Sequence, residues 1–284
     1  MSATRILGLP DQLSQLRRTL VMGIINVTAD SFSDGGKHLD LDDALRRART
    51  MMVEGVDIID VGGESTRPGA ERISEQIERD RVIPLLRELV ELGAIVSVDT
   101  MRASIAEEAI SAGALLINDV SGGLADPVMG EVIAAARVPY VAMHWRGHAD
   151  RMQSVATYKH VAHEVRDELA ARIDGLLMQG VELEQIIVDP GIGFAKTPTH
   201  NWELLHNFKA LKDLDRPILI GASRKRFIGE LLAADGVDRP LDERDEATVA
   251  LTVLAAQAGA WCVRVHEVRG NRDAVEVVDA WQQK

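Results

Sequence analysis

The sequence predicts an α/β chain folded as a closed (β/α)8 barrel, and three observations carry that prediction. Eight short apolar runs alternate with longer stretches of helical period along the 284 residues. A glycine–apolar phrase recurs just ahead of the runs: Gly55-Val56, Gly93-Ala94, Gly113-Ala114 and Gly259-Ala260, with Gly180-Val181 slightly further upstream of its own run. A glycine that closes a helix in the left-handed conformation explains the recurrence. Polar or glycine-rich positions follow nearly every run, where a barrel would gather them at one mouth.

The expected strands are residues 20–26, 57–61, 94–99, 115–119, 139–143, 186–189, 217–221 and 262–266. Helical periods such as 41–53, 74–91 and 162–178 lie between them. Apolar residues make up 46% of the chain and aromatics only 4%, so the core is built mainly of Val, Ile, Leu and Ala. That suits a parallel sheet buried on both faces. An open doubly wound sheet is the competing architecture. No Gly-x-Gly-x-x-Gly follows the first run, and an open sheet would gather its polar residues near one switch point. No linker or composition break interrupts the chain, so one domain is expected over 1–284, with 1–19 an extension ahead of the first strand.

The formal net charge is −12, which argues against nucleic acid or an anionic membrane as partner. An anionic substrate would need a local basic site within that field. The single cysteine, Cys262, stands in the apolar run Ala260-Trp261-Cys262-Val263 and reads as a core thiol. No intramolecular disulfide is possible, so a reducing cytoplasm is the expected location. Charges run through the first 20 residues, which resemble neither a signal peptide nor a membrane span.

The strand ends carry Asn26, Asp60 with Gly62-Gly63, Asp99, Asn118-Asp119, Met143-His144, Asp189, Ser223-Arg224-Lys225, and Arg264 with His266. A lone Asp after a strand is more often a cap or turn residue, and that reading stays open for Asp60 and Asp119 beside the functional one. The loop from Asn26 to Lys37 is long, polar and glycine-ended, as a lid would be, with Phe32 available for a closing contact. Gly62-Gly63-Glu64-Ser65-Thr66-Arg67-Pro68-Gly69 joins glycines, hydroxyls and an Arg in a way that suits phosphate. The run Gly221-Ala222-Ser223-Arg224-Lys225-Arg226 puts cations at a helix start, against the helix dipole. Arg264 and His266 share one face of the last strand. Asp99, Asn118, Asp119 and Asp189 thus converge with Arg67, Lys225 and Arg264: acceptors for an N–H-rich group beside cations for an anion. His160, His163 and Glu164 read as surface helix residues, not as a metal motif. Ser223 has no evident base, so a nucleophilic triad is not expected.

Together these motifs closely resemble the dihydropteroate synthases. The matching segments are 26–36, 62–69, 98–100, 117–119, 189–194, 223–229 and 264–268, in the family's order along almost the whole chain. The resemblance implies a TIM barrel and a transferase of folate biosynthesis that uses Mg²⁺, works as a cytoplasmic homodimer and is a sulfonamide target. Its reaction joins 6-hydroxymethyl-7,8-dihydropterin pyrophosphate to p-aminobenzoate and releases pyrophosphate. It further implies that Asp99, Asn118, Met143, Asp189, Lys225 and Arg264 hold the pterin. Phe32, Thr66, Arg67, Pro68, Phe194 and Ser223 would frame p-aminobenzoate. Asn26, Thr66, Arg264 and His266 would meet the pyrophosphate, with Asn26 also on the metal. Asp34, Arg67, Lys225, Arg264 and His266 would carry catalysis.

Three positions depart from the family pattern: Ala29 where Pro is usual, Ala195 where Gly is usual, and Glu267 where Asp is usual. Two alternatives remain open on the sequence. One is the related pterin-binding methyltransferase that serves a corrinoid protein, which needs no pyrophosphate set. The other is a silent paralogue, which would be expected to lose loop residues that are retained here.

Overall fold

A parallel strand buried on both faces needs apolar side chains pointing both ways, and the eight runs supply them. In this computed structural model, which describes residues 6–27, 36–65, 72–148 and 155–283, eight parallel strands lie in the order β6-β5-β4-β3-β2-β1-β8-β7. They are β1 Leu20–Asn26, β2 Ile58–Gly62, β3 Val96–Asp99, β4 Leu116–Asp119, β5 Tyr140–Met143, β6 Ile186–Asp189, β7 Leu219–Ile220 and β8 Cys262–Val265. A parallel bridge between Val188 and Ile218 joins β6 to β7, and the Val188 N–H donates to the Pro217 carbonyl at 2.9 Å. The sheet therefore closes on itself, as expected.

A short helix α1, Asp11–Ser14, precedes β1. The connections carry α2 Gly36–Val53, α3 Glu75–Glu91, α4 Ala103–Ser111, α5 Met129–Ala136, α6 Val161–Met178, α7 Pro198–His206 with α8 Phe208–Leu211, then α9 Arg226–Leu231 and α10 Asp245–Gln257. Helix α11, Arg269–Gln282, follows β8. The residue expected to open α3, Ser74, is instead its cap, and its hydroxyl accepts from the Ile77 N–H. Gly55, Gly93, Gly113, Gly180 and Gly259 all have φ between 79° and 106°, the left-handed helix ends that the recurring phrase predicts.

Several expected strands are trimmed at their ends. Asp57 stands just before β2 because its carboxylate accepts from the Val21 N–H at 2.8 Å and from Arg18 at 2.7 Å on each oxygen. The seventh is the shortest, two residues instead of five, with Gly221 already in the loop.

Strand register sets which side chains face the axis. Met22 pairs with Ile58, Asp60 with Ser97, Asp99 with Asn118, and Met143 with Asp189. Outward residues such as Val21, Ile59, Val98 and Ile117 pack with the helices in one core cluster. Leu20, Met22, Ile58, Leu116, Val141, Ile187, Leu219 and Cys262 form a second cluster inside the barrel, capped from below by Ile6 and Leu13. Cys262 is the buried core thiol that the sequence predicts. Among the described residues, no helix is long and apolar enough to cross a membrane.

Candidate active site

Above the apolar cluster the inward side of each strand turns polar within one or two residues. Arg264 lies opposite Met22 in the β1–β8 register and reaches across the barrel. Its Nε donates to Asp60 Oδ2 at 2.6 Å and its Nη2 to Asp99 Oδ2 at 2.9 Å. Asn118 donates from Nδ2 to the same Asp60 oxygen at 3.1 Å. Asp60 therefore stands at the centre of the site, 0% exposed, and the cap reading of this residue is wrong. The signal was its place on β2: Ile58, Asp60 and Gly62 share the inward face, so a carboxylate there must enter the barrel.

The opposite reading holds for Asp119. Its outward carboxylate accepts from the Ser121 and Gly123 N–H groups at 2.7 and 2.9 Å and from the Tyr140 hydroxyl at 2.7 Å. It is a turn residue and leaves the acceptor set, which becomes Asp60, Asp99, Asn118 and Asp189. Asp189 accepts from the Gly191 N–H at 2.7 Å. Burial raises its carboxyl, against the Gly191 N–H and the charges of Lys225, Arg264 and Lys196. Asp99 is raised in the same way by burial, against Arg264. Buried polar atoms almost always find a partner. Asp60 Oδ1 and Ser97 Oγ, on paired strand positions, have none, so the site asks for a polar occupant.

Of the cations around Ser223, one faces the site. Arg224 turns away in a bidentate pair with Asp245, 2.7 Å on each nitrogen, and exposed Arg226 meets Glu230 on its own helix. Lys225 Nζ lies 3.9 Å above the centre of the Phe194 ring, a cation–π contact. Burial lowers its pKa to about 8, against the pull of Asp189. A Cβ at Gly193 would come within 2.7 Å of the Lys225 chain, so glycine lets that chain lie flat on the turn. At Gly62 and Gly221 the missing side chains leave room between Asn26 and Asp99, and beside Asp189 and Arg264.

Ser223 does have an imidazole partner. Its Oγ is 3.0 Å from His266 Nδ1 and accepts from the His266 backbone N–H at 3.2 Å. Burial lowers the His266 pKa to about 3, helped by Arg224, Arg264 and Lys225. Among the described residues, no carboxylate hydrogen-bonds this ring, so the pair is not a triad. It orients a buried imidazole that is neutral at pH 7. Met143 is buried at the barrel wall, next to Gly191.

Phe32, Asp34, Thr66, Arg67 and Pro68 lie outside the described residues. The flanks of the second loop are described. Arg102 donates to the Glu64 carboxylate at 2.9 Å and to the Ile73 carbonyl, and so joins the two sides of that loop. Its guanidinium also meets Glu78, whose other oxygen accepts from Thr100 at 2.6 Å. Sequence reasoning gave no sign of Arg102, because its partners lie dozens of residues away. Of the departures from the family pattern, Glu267 still caps α11, accepting from the Arg269 and Gly270 N–H groups at 2.9 Å each. Ala195 holds φ at +47°, a left-handed conformation that glycine would adopt without strain. Glu164 accepts from the Lys159 and His160 N–H groups at the start of α6, in line with the surface-helix reading.

Residues 22–266 match the model of the family described as pterin binding enzyme. This chain belongs to that family. A dihydropteroate synthase of Mycobacterium leprae is 51% identical over 263 residues, 92% of this chain and 93% of that protein. The solved structure of Xanthomonas albilineans dihydropteroate synthase with 4-aminobenzoic acid superposes with a TM-score of 0.87 at 40% identity, over 94% of each chain. The same enzyme in complex with 7,8-dihydropteroate gives a TM-score of 0.84 at 37% identity, over 94% of this chain and 95% of that one.

Proposed function

We propose that this chain is a dihydropteroate synthase. The observation that carries the reading is the ring of Asp60, Asp99, Asn118 and Asp189 closed around Arg264 and Lys225, in a chain about half identical to a synthase of that name. In the reaction, the carbon–oxygen bond between the pterin methylene and pyrophosphate breaks first. The arylamine nitrogen of p-aminobenzoate then bonds to that carbon and gives up a proton to the released pyrophosphate or to solvent.

Asp60, Asp99, Asn118 and Asp189 accept from the pterin N–H groups, and Lys225 and Met143 lie against the ring. Carboxylates outnumber cations in this group, which favours the delocalised positive charge left on the pterin as pyrophosphate departs. Arg264 stays charged because Asp60 and Asp99 outweigh its burial. It and the His266 imidazole would meet the leaving anion, and Thr66 and Asn26 complete that set as the family resemblance implies. A neutral arylamine needs no base to attack, so a Ser–His pair without a carboxylate is no obstacle. Phe194, Ser223, Phe32, Thr66, Arg67 and Pro68 frame p-aminobenzoate, and Asp34 and Arg67 complete the catalytic set from the loops.

Asn26 fits a Mg²⁺ role. Its Oδ1 faces the space left by Gly62, and a magnesium ion commonly takes one or two protein oxygens beside substrate phosphates. The ion would supply charge neutralisation at the pyrophosphate. A cytoplasmic homodimer made of one domain per chain completes the proposal, and a monomer mass in light scattering at assay concentration would refute the dimer.

The deciding assay is pyrophosphate release from the pterin pyrophosphate with Mg²⁺, with and without p-aminobenzoate. Release that requires p-aminobenzoate and yields dihydropteroate is the expected result. Binding of the pterin pyrophosphate without turnover overturns the synthase in favour of a silent paralogue.

A further inference from the structure

Lys196 is absent from the functional set above, yet it is 3% exposed and lies directly beneath the turn that carries Gly191 and Phe194. An ammonium has three N–H donors. Lys196 Nζ has three acceptors within reach: the Gly191 carbonyl at 3.1 Å, the Phe194 carbonyl at 3.2 Å and His144 Nδ1 at 3.0 Å. His144 Nδ1 accepts only when the ring proton is on Nε2, and Nε2 lies 2.9 Å from Glu168 Oε2. The Glu168 carboxylate is in turn held by Arg146, whose Nε is 3.0 Å away and whose guanidinium lies 3.8 Å over the Tyr158 ring. A single directed chain of hydrogen bonds therefore runs from the turn, through Lys196 and His144, to α6.

The other face of that turn belongs to the site. The Gly191 N–H donates to Asp189, and the Phe194 ring supports Lys225. We infer that Lys196 is a positioning residue for pterin binding: its ammonium ties down the turn at 191–194, and through it the Asp189 carboxylate and the Lys225 ammonium. The inference rests on the pterin reading above.

Asp189 from β6, His144 and Arg146 from the segment after β5, Glu168 from α6, the Tyr158 ring and Lys225 from the loop after β7 all surround this ammonium. Burial lowers its pKa to about 7, with Arg146 and Lys225 pushing the same way and Asp189 and Glu168 opposing. Rising pH therefore removes both a donor to the turn and a positive charge beside Asp189.

The test is equilibrium binding of the pterin pyrophosphate with Mg²⁺ and without p-aminobenzoate, followed across neutral pH. Wild type, Lys196→Arg and Lys196→Met are compared, each checked for folding by circular dichroism. Wild-type affinity should carry a component that weakens as pH rises through about 7. Asp99 and Lys225 add their own pH dependence, so the Lys196 component is the part that Lys196→Arg removes. Lys196→Met should bind roughly tenfold more weakly below neutrality, the scale of a lost charged hydrogen bond. Nitrogen NMR of His144 in the wild type should show the Nε2-protonated neutral ring. Wild-type binding with variants that match it at every pH overturns the inference and leaves the pterin reading intact. No wild-type binding at any pH overturns both. A His144 proton on Nδ1 overturns the inference even if neither variant folds.

Discussion

The lower and upper halves of the barrel interior are built on the same strands and do opposite things. Below, Leu20, Met22, Ile58, Leu116, Val141, Ile187, Leu219 and Cys262 are each at most 2% exposed, and Ile6 and Leu13 close the end. Above, Asp60, Asp99, Asn118, Asp189 and Arg264 occupy the next inward positions. Apolar burial contributes about 25 cal/mol per Å² of surface removed from water. Taking charges out of water costs several kcal/mol per ion even after relaxation. One half of the cylinder thus stabilises the fold, and the other uses part of that stability to hold charges ready for a substrate.

The sharpest break of this contrast is Arg264→Ala. Turnover should fall at least roughly a hundredfold, the loss expected when a transition-state donor is removed. Leaving Asp60 and Asp99 buried without their cation should also cost about 3–5 kcal/mol. Circular dichroism at room temperature should still report a folded barrel, and near-normal turnover would refute the role of Arg264. In the lower half, Leu116→Ala should cost about 2–5 kcal/mol in denaturant unfolding. Its KM for the pterin should match that of the wild type, and a raised KM would show that the two halves are not separable.

A third effect follows pH. His266 stays neutral in the folded chain down to about pH 3, whereas an unfolded histidine takes a proton near about 6.5. Between those values the unfolded state binds more protons, so this group's contribution is full above the upper value and declines as pH falls. The melting-temperature advantage of wild type over His266→Gln should therefore shrink on acidification below pH 6.5; a constant difference would contradict the buried neutral ring. The smallest effect concerns Ala195→Gly. It relieves about 1–2 kcal/mol of left-handed strain but restores glycine's backbone entropy, so a net gain below about 1 kcal/mol is expected. A lower melting temperature would overturn the strain argument.

Much of the site was legible because strand parity and strand ends are local properties. Asp99, Asn118, Asp189 and Arg264 follow from inward position at the end of an apolar run. Asp60 has the same parity but stays out of the acceptor set on sequence alone, because a lone Asp after a strand is so often a cap. Asp119, one residue past Asn118, proved to be a turn residue, and a one-residue step on a strand is a change of face. Pairings across long sequence gaps left no trace. Ser223 and His266 stand 43 residues apart, and Lys196 and His144 stand 52 apart.

By itself the sequence determined the eight strands, the helix-ending glycines, the closed barrel and the polar rim, because each depends on periodicity and backbone preference over a few residues. Only the tertiary structure decided which cations face the axis, which carboxylates pair, and how Lys196 ties the turn at 191–194 to α6. Those outcomes depend on which side chains meet once the sheet closes, and burial then lowers the pKa values of Lys196, Lys225 and His266 from those they have in water.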